Sequence, residues 1–111
     1  MLDKLPEILL DDQGYPTFEW LQFIKKYQPD ESMPILKFIE ILTEGWYYDN
    51  WGVILRKKRG GIRKLELHTG GWSGNEEIIH VILNNEYLTW YKMRYVTWMA
   101  GGHYYFEIKE D

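Results

Sequence analysis

The chain has 111 residues, 45% of them hydrophobic and 27% charged, which describes one globular domain with a modest core and not a disordered segment. It holds no Cys, excluding a disulfide framework, a thiolate nucleophile and a Cys-based zinc site. A formal net charge of −4 argues against a general grip on nucleic-acid backbone, and no apolar run approaches the roughly 18 residues of a membrane span. No basic start followed by an apolar run marks a signal peptide, so the cytoplasm is the expected location. The outlying figure is 17% aromatic content, with six Trp and nine Tyr. Part of it fills the core; the rest belongs to a surface of the kind that binds partners.

Residues 1–16 place Pro6, Gly14 and Pro16 around Ile8-Leu9-Leu10, an arm or short strand that turns at Asp12-Gln13-Gly14. Residues 17–44 read as a helical pair. Thr17 is the expected N-cap of the first helix, whose stripe is Phe18, Trp20, Leu21, Phe23, Ile24 and Tyr27. Pro29 ends it; Ser32 caps the second, Pro34 suits its first turn, and Gly45 ends it.

The periodicity then changes. Residues 50–58 alternate as a strand, Lys58-Arg59-Gly60-Gly61 makes a hairpin turn, and Ile62 to His68 returns. The cations Arg56, Lys57, Lys58, Arg59, Arg63 and Lys64 read first as a solvated tip that guards an edge strand, with phosphate binding as the weaker alternative. Thr69-Gly70-Gly71-Trp72-Ser73-Gly74-Asn75-Glu76 leads into a helix buried through Ile78, Ile79, Ile82 and Leu83. Ser73 and Glu76 have capping-box spacing, and Trp72 has no hydrophobic staple partner. Asn84-Asn85 stops this helix. Tyr87 to Met99 alternates as a long strand, Gly101-Gly102 turns, and His103 to Ile108 returns. Residues 50–109 are therefore two β-hairpins joined by a helix. The fold class is α+β in the order α-α-β-β-α-β-β, a single domain over 1–111 with a four-stranded antiparallel sheet and helices packed mainly on one face.

Three stretches carry a family resemblance: Leu5-Pro6-Glu7-Ile8-Leu9-Leu10 with Gly14-Tyr15-Pro16-Thr17, then Thr69 to Glu76, then Gly101-Gly102-His103-Tyr104-Tyr105-Phe106-Glu107-Ile108. In order and spacing the chain resembles a widespread group of small, uncharacterised proteins encoded by bacteriophages and prophages. In that group the strand before the second glycine pair often ends in a polar, Arg-containing turn, whereas here it reads Thr97-Trp98-Met99-Ala100. The resemblance implies a phage context, hence the cytoplasm of a host cell, and no mechanism.

The residues expected to form a binding surface are Trp72, Tyr91, Arg94, Tyr95, Trp98, His103 and Tyr105, because strand residues two apart make ladders on one face and rings beside Arg or His stack planar groups or anchor a partner. Ser73 and Glu76 are assigned as a structural cap. No catalytic residue, metal or cofactor is assigned. Ser73, Glu76 and His103 can be drawn as a triad, but nothing in the sequence fixes their geometry. His68, His80 and His103 with Glu66 or Glu107 lack helix-ligand spacing. The leading expectation is a non-enzymatic accessory or anti-host protein that binds a host or phage protein, a homodimer being compatible with the same surface. The alternatives are a binder of a small nucleotide-like ligand at the Thr69–Glu76 loop and, last, an enzyme.

Overall fold

The computed structural model describes residues 5–109. The chain runs α1 (Phe18–Lys26), α2 (Ile35–Glu44), α3 (Asp49–Gly52), β1 (Val53–Leu55), β2 (Arg63–His68), α4 (Ser73–Leu83), α5 (Glu86–Tyr91), β3 (Met93–Met99) and β4 (His103–Ile108). The strands form one antiparallel sheet in the order β1-β2-β4-β3, so the class is α+β as expected. Leu65, Leu67, Met93, Phe106 and Ile108 line one face and are buried with Trp20, Phe38, Leu42, Trp46 and Ile78 from the helical side. The opposite face carries Lys64, Glu66, His68, His103, Tyr105 and Glu107, none of them fully buried.

Local chemistry explains most boundaries. The Thr17 hydroxyl accepts from Trp20 N–H and caps α1, and Gly45 closes α2. Ser32 does not cap α2. Its own N–H and that of Met33 donate to Asp30 Oδ1, so Asp30 organises the entry and Pro34 stands at the N-cap. Between the helices, the Tyr27 ring stacks on Phe38 at 4.2 Å and its hydroxyl donates to Met33 O.

Two expected strands are replaced in part by helix. Over 50–58 the strand keeps only Val53–Leu55, because Tyr48 takes a left-handed conformation with φ 63° and opens the short helix α3. Gly52 ends that helix against the Trp46 ring and His68 O, where a Cβ would collide. Over Tyr87–Met99 the first half is α5. Asn85 accepts from Leu88 N–H and so caps that helix, while its Nδ2 donates to Ile24 O and Tyr27 O of the α1 end. A buried amide that both starts one helix and satisfies the end of another overrides the strand-like alternation of Tyr87, Thr89 and Tyr91. The ladder between β3 and β4 is interrupted by a bulge at Val96.

Candidate functional site

The expected residues fall into three places. The first is the loop before α4, at the sheet end where β2 finishes and β4 begins. Its capping box is not formed: Trp72 is the N-cap without a side-chain bond, and Ser73 is the exposed first residue of the helix. Glu76 instead accepts from the Tyr104 hydroxyl at 3.0 Å. Burial, then the Glu76 carboxylate, pushes the Tyr104 phenol above its usual range.

Trp72 is not free to point elsewhere. Its Nε1–H donates to Gly14 O at 3.1 Å, and its ring lies 4.6 Å from Tyr15 and 5.0 Å from Tyr47. It latches the N-terminal arm, whose own turn is tied by Asp11 Oδ1 accepting from Gln13 and Tyr15 N–H. Behind it Asn75 is fully buried, with Oδ1 accepting from Tyr47 N–H and Nδ2 donating to Tyr47 O and Thr69 O. Gly102 packs so closely on Thr69 that no side chain fits there, and Thr69 N–H donates to Gly102 O. Trp72, Asn75 and Thr69 are thus engaged within the fold, while Gly71 and Ser73 face solvent.

The second place is the open sheet face. Arg56 Nε donates to Glu66 Oε2 at 2.7 Å, Glu66 Oε1 lies 3.2 Å from His68 Nε2, and His68 Nδ1 lies 2.8 Å from His103 Nδ1. A carboxylate only accepts, so Nε2 of His68 carries the proton facing Glu66. With both rings neutral, His103 Nδ1–H then donates to His68 Nδ1. Arg56, then His68, hold the Glu66 carboxyl below the usual range against the opposing effect of burial. Tyr105 stands edge-on to His68 at 6.1 Å. This row joins His103 and Tyr105, as expected, to Glu66 and Arg56, which only the metal and charge readings had touched. Among the described residues no group of three or more His, Asp or Glu could hold a metal ion, and no hydrogen bond links Ser73, Glu76 and His103 to one another.

The third place is the β3 edge with α5. Trp98 is 58% exposed, and Val96 and Met99 are similarly open. Tyr95 is half-buried on Phe106, with its phenol pushed up by burial. Arg94 reaches across to Glu107 at 2.8 Å. Tyr91 is exposed but sits on α5, not on the sheet, next to Trp90, which sequence reasoning left off the surface list. The expected aromatic ladder is therefore split: Trp72 is structural, His103 and Tyr105 belong to the open face, and Tyr91, Arg94 and Trp98 border the β3 edge. Among the described residues no helix is long and apolar enough to cross a membrane. Comparison with protein-family models, curated proteins and solved structures finds no match.

Proposed function

We propose that this chain is a non-enzymatic binding protein of phage or prophage context that engages a host or phage protein by accepting an extended segment along β3. The observation that carries the reading is the contrast between the two sheet edges. β1 has three residues and runs straight into Arg56, Lys57 and Lys58, so it is short and charged. β3 has seven residues, no Pro, and a single charge, Arg94, already engaged by Glu107. Its outer side pairs with no strand among the described residues, while Val96, Trp98 and Met99 are exposed along it. Long apolar edges invite strand addition, and backbone hydrogen bonds then supply affinity while side-chain pockets supply specificity.

The phage context rests on the motif resemblance. The binding role rests on the outer side of β3 and the exposed side chains along it. The test is a pull-down from host lysate with the wild type, a Val96→Lys/Met99→Lys variant and a Trp72→Phe control. Capture that is lost only with the edge variant supports strand addition. Capture that survives the lysines, or no capture at all, refutes it.

A further inference from the structure

A bare β3 edge is a liability in the free protein, because every copy carries the same one. Among the described residues no strand lies on its outer side, and Val96, Trp98 and Met99 are open along it. The helix α5 runs into β3 through Lys92 and adds Trp90, 79% exposed, and Tyr91, 63% exposed. The chain carries a net charge of −4, yet no Asp or Glu lies between Tyr87 and Phe106. Arg94 is held by Glu107 of its own chain. Two β3 edges therefore meet without opposing carboxylates.

Area and symmetry favour that meeting. A standard interface takes about 600–1,000 Å² from each partner. At their exposures the rings of Trp90, Tyr91 and Trp98 offer about 300–500 Å². Val96, Met99 and the seven-residue edge supply the remainder. If β3 paired with β1 of the next copy, at most three residues would engage, and a free β3 would remain to add further copies. β3 on β3 matches a seven-residue edge with itself and closes as a two-fold pair. It leaves outside only the two β1 edges, which are short and continue into Arg56, Lys57 and Lys58.

We propose that a second copy of this chain occupies β3 in the free protein, the two strands running antiparallel about a two-fold axis perpendicular to the sheet. The four strands of each copy then continue into one sheet, with both helical layers on the same side. Antiparallel pairing brings Trp98 and Met99 of each copy toward α5 of the other, where methionine packs on the open rings of Trp90 and Tyr91. The proposal rests on β3 being the acceptor edge and adds a regulation: an incoming protein segment must displace the second copy.

Sedimentation equilibrium of the full chain tests it. Interfaces at the small end of the standard range hold in the micromolar region, so wild type at about 100 µM has twice the mass of one chain and dissociates on dilution to about 10 nM. Val96→Lys/Met99→Lys sets cations of the two copies against one another and raises the dissociation constant at least about 100-fold. Phe18→Lys, which changes an equally exposed apolar residue on α1, leaves it unchanged. The chain has no Cys, so a spin label on Val96→Cys is unique. Strands about 4.8 Å apart bring two such labels into dipolar contact, while labels on Lys57→Cys, beside the opposite edge, stay apart. Circular dichroism confirms that each variant folds, and the label reads the interface without the lysine pair. A single-chain mass for wild type at the higher concentration overturns the proposal. So does a dimer that keeps its affinity with both lysines, or one without dipolar contact at position 96. A monomer that still captures a host or phage protein through β3 refutes the second copy alone, whereas a dimer that captures nothing refutes the host or phage segment alone.

Discussion

Asn75→Ala removes the amide that joins the loop before α4 to the α2–α3 connection. Asn75 is fully buried, accepting from Tyr47 N–H at 3.1 Å and donating to Tyr47 O at 2.8 Å and Thr69 O at 3.4 Å. Alanine strands both polar groups of the Tyr47 backbone. Each buried group without a partner costs about 1–3 kcal/mol. Tyr47 is only half-buried, so water reaching the vacated space offsets part of this. The expected loss is about 2–4 kcal/mol, out of a total of about 5–15 for a domain. For a chain of this length each kcal/mol lowers Tm by about 4 °C, so Tm falls by about 8–16 °C. Urea denaturation followed by tryptophan fluorescence measures the loss directly, and an unchanged m-value shows that the unfolded state is not the cause. Asn75→Asp keeps the acceptor but sets a carboxylate against two carbonyls, and it destabilises more than alanine. A loss below about 0.5 kcal/mol for alanine, the level of an ordinary surface substitution, would mean that the amide network is not what fixes the loop.

Trp72→Phe keeps a ring but loses the bond to Gly14 O, and hydrogen exchange at Asp11 and Thr17, whose N–H groups bond within the arm, accelerates while the core is unchanged. Glu66 has its folded pKa depressed, so its contribution to stability is present above the usual carboxylate range and is lost as pH falls through the folded value. Denaturation curves of Glu66→Gln against wild type converge at acid pH; curves that stay parallel there would refute the Arg56 and His68 pairing. Tyr27 has its phenol pushed well above the usual range by burial, so its stability is complete below that range and is lost as pH rises toward the folded value. Tyr27→Phe removes the bond to Met33 O, costs about 1 kcal/mol at neutral pH, and shows a smaller alkaline loss in the same assay. Nitrogen NMR at neutral pH finds the Nε2–H tautomer at His68 and the Nδ1–H tautomer at His103; the reverse pair would contradict the Glu66 contact.

The fold class was legible because the β2 and β4 alternations and the α1, α2 and α4 stripes are unambiguous. The errors occur where a period-2 pattern met a long-range polar demand. Nothing local at Tyr87–Tyr91 tells helix from strand; the decision is made by Asn85, bonded to carbonyls about sixty positions earlier. The same blindness hid Asn75. The pair Ser73 and Glu76 matched a local motif, yet the fold uses Glu76 for Tyr104, 28 positions away. Trp72 is expected on the binding surface for want of a local partner, whereas its indole bonds to the Gly14 turn, which no local rule connects to it.

These long-range contacts bear directly on where function resides. The glycine-rich end looked the richest in chemistry, but each of its distinctive residues answers a structural demand: Gly102 to the approach of Thr69, Asn75 to the Tyr47 backbone, Trp72 to the arm. Among the described residues the outer side of β3 pairs with no strand, and the rings of Trp90, Tyr91 and Trp98 face water. Trp90, Tyr91 and Trp98 are not consumed by the core, so replacing them changes binding and leaves stability nearly untouched. Replacing Trp72 or Asn75 does the reverse. A stability loss above about 2 kcal/mol, the scale of a core substitution, on Trp90→Ala would place that ring in the fold and not on a binding surface.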